Sequence, residues 1–447
     1  MSWIIDKIID GGSKIALIND DKSHTYSELA EQIQIYSNEI DKAIPQGATV
    51  SIVSDYNLRS IALFFALYRN ANIIVPITTL IKSDILDKER VSNCDYSIRL
   101  GEKSLLVEKL GLVKEINALT KNLQNDNSSG LILFSSGSTG VPKAMIHNLD
   151  NLVDSFRGKK HKNLVFLIFL MFDHIGGLNT LLSCISMGVT MVFPTKREPE
   201  HVCQLIEKYK VNILPASPTF LNLILISEAY CKFNLSSLRM ITYGTEPMPE
   251  SLLVKLKKIL PKPRFLQTFG TSETGIMQIS SKSSTSTYIK IEDSNSEFKI
   301  VDSELWIKSK TQILGYLNSS MERFTNTGWF KTGDLVEETE DGFLKIIGRN
   351  SDIINVGGEK VLPTEVESIL HEMTIVKDCI VFGESNPITG QMVVAKILCN
   401  EELKISEIKK MVVRFCKDKL DRYKIPAKVV LMKESEFSER FKKKRIQ

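Results

Sequence analysis

Short apolar blocks of strand and helix character alternate along most of this chain, and that alternation constrains the fold more tightly than any other feature. Residues 47–53 (GATVSIV) read as a strand, residues 61–68 as an apolar helix and residues 71–77 (ANIIVPI) as a second strand. Beyond residue 164 the order resumes with a strand over 164–172 (LVFLIFLMF), a helix over 178–187 and a strand over 190–193. A helix over 200–209 and a strand over 211–214, ended by Pro215, follow. Strand–helix–strand repetition needs crossovers, so neighbouring strands run parallel and helices cover the sheet faces. The expected class is α/β, with a large multi-subdomain N-terminal domain of parallel sheets. Thr25 opens a helical pattern that runs to residue 40, and Glu28 stands at capping-box spacing from it. Residues 82–128 and 276–302 are polar and irregular and predict no element. A turn at Asp341-Gly342 leads into FLKIIGR, and shorter strands with charged helices run from there to the end. A chain of 447 residues exceeds a single core. The expected division is residues 1–350 and a small α+β domain over 351–447.

Composition narrows the function classes. Hydrophobic residues make up 43% and charged residues 25%, ordinary for a soluble globular protein. The net charge of +4 balances 57 basic against 53 acidic side chains, which argues against nucleic acid or an anionic membrane as partner. The longest central apolar run has nine residues, against about 20 for a membrane-spanning helix. The N-terminus, MSWIIDKIIDGG, carries acids early and lacks a basic leader segment, so no signal peptide is expected. The seven cysteines are scattered without a CxxC pair, which predicts neither disulfides nor zinc and points to the reducing cytoplasm.

One loop points to a ligand. The apolar strand LILF is followed by Ser135, Ser136, Gly137, Ser138, Thr139, Gly140, Val141, Pro142 and Lys143. Glycines allow close backbone approach, hydroxyls add donors and the lysine adds a charge, which together suit a polyphosphate. A P-loop is excluded, because the glycines are three apart, Lys143 follows Pro142 and no Ser or Thr comes next. A flexible linker is disfavoured by the apolar segments on both sides.

The loop resembles the phosphate-binding loop of the adenylate-forming superfamily, which includes acyl- and aryl-CoA synthetases, nonribosomal peptide synthetase adenylation domains and firefly luciferase. Further segments resemble that family's motifs in the same order. In QTFGTSETG (267–275) the resemblance makes Glu273 the Mg²⁺ ligand and Ser272 a phosphate contact, with Thr268, Phe269 and Gly270 beside the nucleotide and acid. In TYGTEPMP (242–249) it assigns Tyr243, Gly244, Thr245 and Glu246 to adenine and one wall of the acyl pocket. In GWFKTGDL (328–335) Asp334 would accept hydrogen bonds from both ribose hydroxyls, and Arg349 would join it. Ser351 replaces the family's hinge residue, and Asn355–Lys360, with Gly357 and Gly358, resembles the loop lining the pantetheine tunnel. In SERFKKKR (438–445) Lys442 matches the catalytic lysine by spacing; Phe441 stands where glycine is usual, and Lys443 and Lys444 compete for the role. In FDHIGG (172–177), His174 with Gly177 fits the form of the acyl- and aryl-CoA synthetases, whereas Asp173 fits the amine-binding form of the peptide synthetases.

The resemblance implies an adenylate-forming enzyme that uses ATP and Mg²⁺ to activate a small-molecule carboxylic acid, aryl or acyl, with Lys442, Glu273 and Lys143 catalytic. Coenzyme A, or the phosphopantetheine of a separate acyl carrier protein, would accept the acyl group. Two alternatives stand beside it: a free-standing amino-acid adenylating enzyme using Asp173, and a non-catalytic nucleotide-binding protein on the same fold. The segment between Gly275 and Glu304 is shorter than the family's, so a trimmed third subdomain is expected.

Overall fold

The computed structural model describes residues 2–19, 21–102, 104–111, 117–135, 142–399, 403–438 and 441–443. The alternation read from the sequence is realised as two seven-stranded sheets. The first runs Arg264–Gln267, Met240–Tyr243, Ile213–Ala216, Val165–Leu167, Thr190–Val192, Ile15–Asn19 and Lys22–Thr25, parallel except for its last pair. The second has a parallel centre of Gly130–Ser135, Ile73–Ile77, Thr49–Val53 and Tyr96–Leu100. Antiparallel strands close its two edges: Leu105–Lys109 on one side, Lys143–Asn148 and Gly315–Tyr316 on the other. Helices Tyr26–Ala43, Leu58–Arg69 and Ile175–Met187 contribute to one apolar core with residues of both sheets. The capping box forms as read: the Thr25 hydroxyl accepts from the Glu28 amide at 3.1 Å, and the Glu28 carboxylate accepts from the Thr25 amide at 2.6 Å.

Three expectations need correction. Residues 82–128 are not featureless; they hold helices Lys82–Val91 and Ala118–Asn125 and strands Tyr96–Leu100 and Leu105–Lys109. Their signal is weak because they cover the sheet's outer edge, where helix Lys82–Val91 buries only Ile85 and Glu89. The apolar run 164–172 is a strand only over Val165–Leu167. Its remainder is a loop buried between two cores, with Phe169 packed in one and Phe172 in the other. Residues 276–302 supply strands Ile279–Ser281, Tyr288–Ile291 and Ser296–Val301 to a six-stranded antiparallel sheet, completed by Glu304–Ser309, Phe330–Glu338 and Leu344–Arg349. Short, half-exposed antiparallel strands need little apolar content, so a polar sequence conceals them.

Beyond Arg349 a separate core forms around Ile354, Val361, Val366, Val381, Ile397 and Val412, on a five-stranded sheet with helices Pro363–Leu370 and Ile405–Cys416. Among the described residues no helix is long and apolar enough to cross a membrane.

One buried group makes stability depend on pH. His147 lies fully buried in strand Lys143–Asn148, neither ring nitrogen has a good hydrogen-bond partner, and burial lowers its pKa to about 4. Above the unfolded value of about 6.5 the ring is neutral in both states and costs nothing. As pH falls below that value the unfolded chain takes up a proton that the folded chain refuses, so stability declines until about pH 4. The expected loss from this group is about 2 kcal/mol at pH 5. Urea midpoints at pH 7.5 and pH 5 should therefore converge in His147→Leu by that amount relative to wild type; an unchanged difference rules the effect out.

Candidate active site

Loops leaving the carboxyl ends of parallel strands converge beside the antiparallel sheet and the small domain, the usual place for a ligand in an open α/β sheet. A cleft of about 190 Å³ lies there, lined by Thr245, Glu246, Thr268, Gly270, Asp334, Arg349 and Lys442 among others. The turn at 341–342 joins strands Phe330–Glu338 and Leu344–Arg349 as an antiparallel hairpin, and a one-residue register shift between Leu335 and Val336 brings Asp334 opposite Arg349. Arg349 Nε donates to Asp334 Oδ1 at 3.0 Å. Burial pushes the Asp334 carboxyl above its ordinary range, opposed by Arg349, Arg323 and Lys442. The Asp334 charge in turn raises the pKa of Arg349. A carboxylate beside a guanidinium is suited, in its ionised form, to accept hydrogen bonds from a vicinal diol.

Lys442 and Lys443 differ in what they meet. Lys442 lines the cleft with Asp334 and Arg349. Lys443 sends its Nζ into the small domain, 2.8 Å from the Cys379 carbonyl and 3.5 Å from Glu367 Oε2, with His371 Nε2 at 3.4 Å. That ammonium, together with burial, holds His371 well below the usual imidazole range. Lys444 lies outside the described residues, as do Ser136, Gly137, Ser138, Thr139 and Gly140 of the polyphosphate loop.

The two ends of that loop are described. Ser135 and Lys143 face each other across adjacent antiparallel strands. Lys143 Nζ sits 5.5 Å from the centroid of the Tyr316 ring, and the Tyr316 hydroxyl donates to Glu273 Oε1 at 2.9 Å. Residues 130 positions apart in sequence are thereby joined through one tyrosine, which burial and Glu273 make a very weak acid. Sequence reading missed Tyr316, because an isolated tyrosine in a two-residue edge strand carries no motif. Ser272 occupies the turn between strands Phe269–Thr271 and Gly275–Met277. Among the described residues no group of three His, Cys, Asp or Glu gathers as a preformed metal cage. A lone carboxylate fits Mg²⁺, which commonly takes one or two protein carboxylates and completes its shell with phosphate and water.

The 242–249 loop is held tightly. A Cβ on Gly244 would stand 2.4 Å from Thr268 Oγ1, and one on Gly270 would stand 2.4 Å from the Gly275 carbonyl. Thr245 adopts φ +73°, and its buried hydroxyl has no hydrogen-bond partner among the described residues. Strained backbone with an unsatisfied donor beside a cleft is what a ligand-contacting residue commonly shows. Glu246 Oε1 accepts from the Thr219 amide at 2.8 Å, and its Oε2 accepts from the Lys443 amide at 3.2 Å, so it ties the large domain to the tail. Phe269 lines the cleft and packs into the core of the antiparallel sheet. Tyr243, by contrast, is buried in the core of the first sheet and is not among the residues lining this cleft.

His174 and Asp173 point to different surroundings. His174 caps helix Ile175–Met187, its Nδ1 accepting from the Gly176 amide at 3.1 Å, and it borders a narrow space with Phe169, Arg197, Phe441 and Lys442. Asp173 is buried against Lys88, Oδ2 to Nζ 3.6 Å, and lines neither cleft. Gly177 packs where a Cβ would stand 2.1 Å from the Met171 carbonyl, so it serves the approach of the 168–174 loop to the helix.

A second cleft of about 360 Å³ meets the first at Thr268, which lines both. Phe166, Asn179, Thr180, Ser183, Ile276 and Met277 form part of its wall. Sequence reading missed this wall. The available signal was Asn179, Thr180 and Ser183, polar residues on one face of an otherwise apolar helix. Two adjoining clefts, one with a carboxylate–guanidinium pair and a lysine and the other mixed apolar and polar, can hold a nucleotide and a second reactant end to end.

Comparison with known proteins agrees with this arrangement. The family model described as AMP-binding enzyme matches residues 10–317, and the model for the AMP-binding enzyme C-terminal domain matches residues 365–442. A 2-succinylbenzoate–CoA ligase of Bacillus pumilus is 26% identical over 465 residues, covering 95% of this chain and 93% of that protein. A 4-coumarate–CoA ligase-like protein of Arabidopsis thaliana is 30% identical over 307 residues, covering 61% of this chain and 54% of that protein. The o-succinylbenzoate CoA synthetase of Bacillus subtilis bound to its acyl-adenylate has a similar fold, with a TM-score of 0.78 at 23% identity over 97% of this chain and 95% of that one. An anthranilate CoA ligase bound to anthranoyl-AMP gives a TM-score of 0.81 at 19% identity over 97% of this chain and 94% of that one.

Proposed function

This chain belongs to the AMP-binding enzyme family, and on that premise we propose that it activates an aryl carboxylic acid with ATP and transfers the acyl group to coenzyme A. The observation that carries the reading is the meeting of two clefts at Thr268, one holding Asp334, Arg349 and Lys442, the other large enough for an aromatic acid. In the first half, a carboxylate oxygen attacks the α-phosphorus of ATP, the bond to the bridging oxygen breaks and pyrophosphate leaves. In the second, a thiol sulfur attacks the acyl carbon and AMP departs. Asp334, with Arg349 beside it, holds the ribose. Lys442 bridges the attacking carboxylate and the α-phosphate, and Lys143 faces the leaving pyrophosphate with Ser135 and the loop after it. Glu273, oriented by Tyr316, would hold Mg²⁺, which when bound neutralises phosphate charge. Catalysis is positioning and charge stabilisation.

The small domain, residues 351–447, then rotates about Ser351 and withdraws Lys442. Gly357 and Gly358, at φ +62° and +94° at the exposed tip of the Ile354–Val361 hairpin, come to the thiol. The amino-acid reading is disfavoured by the place of Asp173, which lies outside both clefts with its Oδ2 3.6 Å from Lys88 Nζ. The names of the relatives make 2-succinylbenzoate the first acid to try and coenzyme A the first acceptor. Acid-dependent ATP–pyrophosphate exchange, screened over aryl, fatty and amino acids with magnesium, tests the reading. Exchange with aryl acids supports it; exchange confined to amino acids, or none, overturns it.

A further inference from the structure

The tail carries a bulky ring where its backbone favours glycine. Phe437 and Lys443 form an antiparallel bridge, the Ser438 amide donates to the Lys442 carbonyl at 2.8 Å, and the Phe441 amide donates to the Ser438 carbonyl at 2.8 Å. This tight return leaves Phe441 at φ +52°, a region open to glycine and seldom used by aromatic residues. Such strain persists only where surrounding contacts compensate it, and the ring makes them. It stacks on Phe437 at 5.1 Å and meets Phe169 at 5.0 Å and Phe220 at 5.3 Å, the last nearly edge-on. Phe437 belongs to the tail itself. Phe169 and Phe220 belong to the large domain, in the 168–174 loop and in helix Pro218–Ile226, and pack on each other at 4.0 Å. One side chain therefore seats the tail on the large domain, immediately before the lysine that lines the cleft. The next residue is fastened on both sides, its amide to Glu246 and its ammonium inside the small domain.

We infer that Phe441 is a positioning residue, an aromatic latch that holds Lys442 in the cleft and biases the two domains toward the arrangement that forms the acyl-adenylate. Its kinetic consequence rests on the acid-activation reading; its structural consequence does not. The latch must open before Lys442 can withdraw, so it acts oppositely on the two halves of the reaction.

Phe441→Gly is the informative variant, because it relieves the backbone while removing the ring. The expected result is a kcat for pyrophosphate exchange lower by about tenfold, or ~1.4 kcal/mol, with KM for ATP changed by less than about twofold. Thioester formation from pre-made adenylate should be unchanged or faster, and Phe441→Tyr should restore exchange. In parallel, spin labels at the exposed positions Lys258 and Lys409, with Cys231 and Cys399 changed to serine, report the interdomain distance by pulsed electron resonance without any turnover. Wild type should give one principal distance and Phe441→Gly a second population. A wild-type distance distribution in Phe441→Gly overturns the latch. So does an equal loss in both half-reactions with a lowered thermal midpoint, which marks a merely structural ring. Should wild type exchange with no acid, the activation reading fails alone and the distance distribution decides the latch.

Discussion

Lys442→Ala should lower acid-dependent pyrophosphate exchange by about a hundredfold to a thousandfold, the usual cost of removing one group aimed at developing negative charge. The lysine lines the cleft that also holds Asp334 and Arg349, and its charge opposes the burial that raises the Asp334 carboxyl. Lys443 also borders that cleft, but its ammonium is held in the small domain and does not stand in for Lys442. Thioester formation from pre-made adenylate should fall by less than about threefold, because by then Lys442 has withdrawn. The check is the pair of half-reactions measured on one preparation. Equal loss in both would show that Lys442 holds structure rather than chemistry. Lys443→Ala makes the contrast: it leaves Glu367 and Asp378 buried without their cation, so its expected signature is a lowered thermal midpoint.

Glu273→Gln should be the next most damaging change. The amide keeps an acceptor for the Tyr316 hydroxyl, so the 2.9 Å bond survives while the charge is lost. Exchange at limiting magnesium should drop by about a hundredfold, and much of the loss should be recovered as the ion is raised. A readout independent of turnover is the rise in thermal midpoint when Mg²⁺ is added together with a non-hydrolysable ATP analogue. Wild type should show a rise beyond that from the analogue alone, and Glu273→Gln should not. An identical rise in both proteins would remove Glu273 from the ion site. Tyr316→Phe separates orientation from charge: it keeps the carboxylate, and its magnesium dependence should stay near that of wild type.

Much of the candidate site was legible because its parts are local. Asp334 and Arg349 face each other because a short connection closes one hairpin and an irregularity between Leu335 and Val336 shifts its register by one residue. The polyphosphate loop announces itself by residue types within nine positions, Ser135 to Lys143. The parallel sheets follow from the order of strand and helix blocks. Elements at exposed edges were not legible, since residues 82–128 and 276–302 bury too little to impose an apolar period.

By itself the sequence determined the class of fold, the family motifs and their order, because these depend on short-range spacing and on the alternation of apolar blocks. Only the tertiary structure decided that the Lys443 ammonium is held in the small domain while Lys442 borders the cleft beside Asp334, that Tyr316 joins Lys143 to Glu273, and that Asp173 lies against Lys88 while His174 borders the space beside Lys442. The physical reason is contact distance along the chain. The tail's course is set by Phe169, Phe220 and Glu246, the last 197 residues before Lys443. Partners so far apart leave no periodicity in the sequence that joins them.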